Sequence, residues 1–181
     1  MKPFKLFTLF GITTSMTLVS VGSFALCGIA LAWLATSQSG LNAGEGWLVG
    51  LLCVLVMFLG DWLHDMGHAW AARRVGHPMT GIKYFSILAQ CEYPKNEPQL
   101  PGKIHIQRAL GGFWVNLLIG GVAFFLLLYG PLWPAWAFWV LGFTAFYNFV
   151  ILGLGALIPP IDIPGYFQND GGTILKHLRG K

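Results

Sequence analysis

Charge is what this sequence has least of. Only 10% of its 181 residues are Asp, Glu, Lys or Arg, against about 25% in an ordinary soluble domain. No charged side chain occurs between Leu6 and Gly44 or between Ala109 and Ile161. These gaps exclude a water-exposed surface of the usual kind. With 55% hydrophobic residues and a mean hydropathy of +0.64, they make the lipid bilayer the expected solvent. Cysteine is scarce too. Cys27, Cys53 and Cys91 form no CxxC pair, and the first two sit in apolar runs, which argues against a disulfide framework. Acidic groups number only seven, so any carboxylate chemistry must come from a short roster.

A transmembrane helix needs about 20 mostly apolar residues, and the chain reads as all-α integral membrane, with about four spans in a single domain over residues 1–181. The expected spans are about 10–36, 47–72, 109–129 and 135–158. The uncharged stretch after Lys5 is too long for a signal-peptide h-region of 7 to 15 residues, so the first helix is expected to be retained. Ser37 to Gly44 reads as a loop, and Gly130-Pro131-Leu132-Trp133-Pro134 divides the last long apolar run. Residues 77–107 form the one extended polar loop. Its segment Ile82-Lys83-Tyr84-Phe85-Ser86-Ile87-Leu88 is β-prone and predicts a short strand or hairpin. Pro159, Pro160 and Pro164 bar regular helix until Asp170.

The formal charge of +4 raises nucleic acid as a partner, but the placement of the basic residues answers it better. With four spans, all eleven Lys and Arg fall on one side of the membrane. Cytoplasmic loops are enriched in these residues, so both termini are expected in the cytoplasm, the membrane being the cell (plasma) membrane. No nucleic-acid role is needed. Trp47, Trp133, Trp136 and Trp139 lie toward the opposite face, as an interfacial aromatic belt does. His77, His105 and His177 are expected to face solvent.

The second span carries the chemistry. His64 and His68 are spaced i, i+4, which puts both imidazoles on one helical face within reach of one metal ion. Asp61 and Asp65 adjoin them, and ionisable residues inside a span are costly enough to mark function. Polar bonding between helices would account for one such histidine, less readily for the group. Two histidines on one helix face cannot serve as both axial ligands of a haem. A transporter would want ligands strung along a path, whereas these cluster near one face. Catalytic zinc takes three protein ligands and keeps one position open, so a third ligand must come from elsewhere. Among the seven acids, Asp170 is favoured, because Gly171 and Gly172 after it permit close backbone approach; Asp162 is the alternative.

Three pieces of sequence resemble the site-2 protease family of intramembrane zinc metalloproteases. His64-Asp65-Met66-Gly67-His68 resembles its HExxH motif, and Gly111-Gly112-Phe113-Trp114-Val115-Asn116 its Gly-and-Asn helix. Leu157-Ile158-Pro159-Pro160 with Asp170-Gly171-Gly172 resembles its final motif. The resemblance spans about residues 47–178. It implies zinc on His64, His68 and Asp170, Asp65 as the catalytic base, Asn116 as a substrate-positioning residue, and a strand edge in the polar loop for an unwinding substrate helix. Two departures stand out. Asp65 occupies the position of the family's glutamate and is one methylene shorter, which weakens a base worth about 10² to 10⁴ in rate. Ala156 precedes Pro159 where the family has Asn before its proline, and Asp170 comes later than usual. The expected activity is cleavage of membrane-anchored proteins near the cytoplasmic face. The alternative is a catalytically inactive relative that holds metal and partner helices.

Overall fold

The computed structural model describes residues 2–163 and 167–179. Pro164 and Lys181, which entered the helix-breaking and charge arguments, lie outside them. Two strands open the chain, β1 (Phe4–Leu9) and β2 (Ile12–Met16), followed by helices α1 (Leu18–Ser39) and α2 (Ala43–Arg74). The polar loop supplies β3 (Gly81–Tyr84) and β4 (Ala89–Glu92), then α3 (Gly102–Ala109), which continues across a short break into α4 (Phe113–Leu127). A single 3₁₀ turn at Gly130–Leu132 leads to α5 (Ala135–Ala145), a π-helical stretch (Phe146–Leu154) and α6 (Gly155–Leu157). Strands β5 (Asp162–Ile163) and β6 (Phe167–Gln168) precede α7 (Asp170–Leu178).

Four helical stretches among the described residues are long and apolar enough to cross a membrane: Leu18–Ser39, Ala43–Arg74, Gly102–Leu127 and Ala135–Leu157. The first differs from expectation. Residues 10–16, read as the start of the first span, belong instead to a hairpin over residues 4–16, in which Thr8, Thr13 and Thr14 interrupt a β-prone apolar run and Gly11 takes a positive φ of 81° at the tip. Thr17 then caps α1, accepting from the Ser20 amide at 3.2 Å. An all-α description therefore gives way to a mostly helical one with a four-stranded sheet, ordered β1-β2-β3-β4.

The sheet is locked to α2 by its side chains. β2 pairs parallel to β3, Thr13 to Gly81 through Met16 to Tyr84, which joins the hairpin at the chain start to the polar loop. Tyr84 is fully buried, stacks on Phe58 with centroids 5.2 Å apart, and donates its hydroxyl to the Phe58 carbonyl. Trp62 donates to Thr14 Oγ1 at 3.1 Å. The outer side of β4 pairs with no strand among the described residues.

Glycines set the helix spacings. A Cβ on Gly67 or Gly111 would collide with the other's backbone, so α2 and the α3–α4 break touch main chain to main chain. Gly171 and Gly172 serve a different end from the one expected. They face the Leu157 and Ile161 carbonyls, letting α7 close onto the proline-containing segment rather than onto a ligand.

Candidate metal centre

One side of α2 presents Asp61, His64, Asp65 and His68 to a cavity of about 1050 Å³, which Asp170 enters from the first residue of α7. The delayed position of Asp170 has a structural explanation. Strand β5 pairs antiparallel with β6, and Asn169 fastens the base of that pair. Its Oδ1 accepts from the Ile161 and Gly172 amides at 2.7 and 2.8 Å, and its Nδ2 donates to the Pro159 carbonyl at 2.9 Å. The extra residues thus return α7 to the site.

His64 Nε2 and His68 Nε2 each lie 3.2 Å from an Asp170 carboxylate oxygen. Their tautomers follow from the other ring nitrogen. Asn116 commits its Nδ2 to the Gly60 carbonyl at 3.1 Å and Asn148 Oδ1 at 2.8 Å, so its Oδ1 is the atom that accepts from His64 Nδ1 at 2.8 Å. His68 Nδ1 donates to the Arg108 carbonyl at 2.8 Å. With both rings neutral, the Nε2 atoms carry lone pairs directed toward a carboxylate, an arrangement of acceptors that suits a cation between them. Asp170 Oδ2 accordingly has no hydrogen-bond partner. Tetrahedral zinc with bonds of about 2.0–2.1 Å separates its ligands by about 3.3 Å, close to the spacing found. Gly112 completes the fit. A Cβ there would lie 2.5 Å from His68 Nε2 and 2.6 Å from His64 Nε2, occupying the space an ion needs. The residues present suit zinc, and His64, His68 and Asp170 form a group that could hold a metal ion.

Asp65 lies beside this group and is buried. Its Oδ1 accepts the Cys91 thiol at 3.3 Å, while Oδ2 has no partner. Asp162, the alternative third ligand, is instead 3.9 Å from Lys176 Nζ on the exposed side of α7. Asn116 is fully buried with both ends of its amide bonded to protein. Its amide thereby links His64 to the Gly60 carbonyl and to Asn148.

Several participants escaped sequence reasoning. Arg108 is buried, paired with Glu97 at 2.5 and 3.0 Å, bonded to the His77 carbonyl at 2.7 Å, and stacked on Tyr93. This fixes the carbonyl that orients His68. The two hydrogen bonds from Arg108 hold the Glu97 carboxyl below its ordinary range. Asn148 and Tyr147 are consecutive, yet both are buried toward α2, in the π-helical stretch; Tyr147 donates to Asp61 at 3.2 Å. A π-helix is rare and concentrates at functional sites. His105 and His177, expected in solvent, stack with centroids 4.3 Å apart at the cavity rim and join α3 to α7. Only the polar-in-span signal at Asn148 was available beforehand.

No family model matches the sequence, and no curated protein matches it. Among solved structures it resembles the site-2 protease from Methanocaldococcus jannaschii. That match has a TM-score of 0.61 and 21% identity, and covers 99% of this chain and 72% of the archaeal one. The shared feature is the fold. Together with the four apolar helices, it supports a membrane protein.

Proposed function

We propose that this chain is an intramembrane zinc metalloendopeptidase of the site-2 protease type, acting on membrane-anchored proteins near the cytoplasmic face. The observation that carries the reading is the convergence of two lone-pair Nε2 atoms and one carboxylate at 3.2 Å inside a membrane helix bundle. His64, His68 and Asp170 would hold zinc, which would supply Lewis acidity to a peptide carbonyl and to the attacking water. Asp65 accepts the proton through Oδ2, the oxygen left without a partner. Asn116 and the Arg108 carbonyl hold the two imidazoles in the required tautomer. The unpaired side of β4, which lines the cavity through Ala89, Gln90 and Cys91, is suited to an extended substrate segment. The whole chain is read as one membrane domain in the plasma membrane, termini in the cytoplasm, because its basic residues lie in segments on one side of four spans.

A second reading, a metal-holding scaffold that binds partner helices without cutting them, is favoured by the short carboxylate of Asp65 where the resembled family has glutamate. Cleavage of a model transmembrane substrate by purified, zinc-loaded protein decides between them. Proteolysis abolished by chelator and by Asp65→Asn, and raised by Asp65→Glu, is the expected result. Full metal occupancy with no cleavage in either the wild type or Asp65→Glu leaves the scaffold.

A further inference from the structure

We propose that Cys91 is a positioning residue for Asp65: its thiol donates to Oδ1 and so leaves Oδ2 as the single oxygen free to take a proton. This rests on the proteolytic reading above.

Three observations carry it. Cys91 Sγ lies 3.3 Å from Asp65 Oδ1, within range for a sulfur donor, and the other Asp65 oxygen is buried without a partner. A carboxylate accepts through both oxygens and donates through neither when ionised, so a donor on one side alone leaves the other oxygen to take the proton. The thiol is also suited to donate rather than accept. Burial, and then the neighbouring Asp65 charge, push its pKa well above the ordinary range, which keeps the proton on sulfur.

The geometry of the strand adds a consequence. Cys91 pairs with Ile82 in β3, and a one-residue slip of β4 would turn Cys91 to the opposite face of the sheet, away from Asp65. The donor is therefore delivered by the sheet and the acceptor by α2. A short aspartate side chain has one fewer rotatable bond than a glutamate, and an external donor completes its orientation. The same strand lines the cavity through Ala89, Gln90 and Cys91, so a segment seated on β4 and the base would be placed by one element.

The test uses the full chain in detergent or lipid, with Cys91→Ala and Cys91→Ser. Serine keeps a donor and alanine removes it. Cys91→Ala is expected to lower kcat by about tenfold, a fraction of what a positioned base contributes, with KM nearly unchanged and an altered pH–rate profile. Cys91→Ser should recover turnover to within about threefold, since a hydroxyl donates to carboxylate at least as well. Equal loss in both variants, or none in alanine, overturns the proposal. An independent readout is the Cys91 S–H stretching band in the infrared, isolated as the difference between wild type and Cys91→Ser. It should move to higher frequency in Asp65→Asn, where the acceptor is weaker. A band indifferent to residue 65 overturns the bond itself. A shifted band in a zinc-loaded protein that cleaves nothing overturns the proteolytic reading, and any catalytic role of the pair with it.

Discussion

Near its start, α2 meets α1 without side-chain hydrogen bonds among the described residues; two turns from its end, polar groups surround it. At Gly46 and Gly50 the contact is so close that a Cβ would strike Thr36, Ala32 or the Gly28 backbone. From Asp61 to His68 the partners are Tyr147, Asn116, the Arg108 carbonyl and Asp170. One helix thus uses two kinds of adhesion. Small residues give van der Waals contact where lipid offers no competing polar group, while hydrogen bonds give direction where a site must be aimed. The contrast teaches that one helix can be held in the bundle by one half and aim its side chains with the other.

The sharpest way to break that contrast is Gly112→Ala. Its methyl group would sit within 2.6 Å of both imidazole Nε2 atoms, so metal content should fall from about one per chain to near zero. Gly121→Ala, where a Cβ meets nothing within 4 Å, is the control and should retain the metal. Elemental analysis of the purified variants reads both.

Asn116→Ala should have the next largest effect. Loss of the acceptor frees His64 to rotate or change tautomer, and removal of such an outer partner costs roughly 10- to 100-fold in metal affinity. Competition with a chromophoric chelator measures it. Unchanged affinity would show that packing alone orients His64.

In the first half of α2 the expected effect is on stability. Gly50→Leu overpacks the α1–α2 contact and should cost about 1–3 kcal/mol, read as an earlier unfolding midpoint in detergent. Zinc stoichiometry should hold in the fraction still folded. If metal is lost while the helices stay paired, the two halves are coupled more tightly than the contact pattern implies.

The smallest effect concerns Glu97, whose lowered pKa makes its contribution pH-dependent. Because the folded value lies below the ordinary glutamate value of about 4.3, the stabilisation is complete above that value. It fades as pH falls through the folded one. Wild type should therefore unfold later than Glu97→Gln at neutral pH, with the gap closing only in acid. A gap constant across the acidic range would mean the Arg108 clamp contributes through shape, not charge.

The sequence by itself determined the apolar surroundings, the four long helices and the central pair of candidate ligands. Each is a local property: an uncharged run of sufficient length, or an i, i+4 spacing read along one helix. His64 and His68 needed no partner to be recognised. Tertiary structure decided everything that depends on distant residues meeting. The opening residues pair with β3 of a loop some 70 positions later, and an apolar β-strand cannot be told from the start of an apolar helix by composition. Asp170 lies at the ligand spacing because Asn169 closes a strand pair that the sequence shows only as a delay. Arg108 orients His68 through a main-chain carbonyl, which has no residue signature. Gly171 and Gly172 look like site glycines but meet the Leu157 and Ile161 backbone. Proximity along the chain names the ligands, and proximity in space alone fixes which atoms they present.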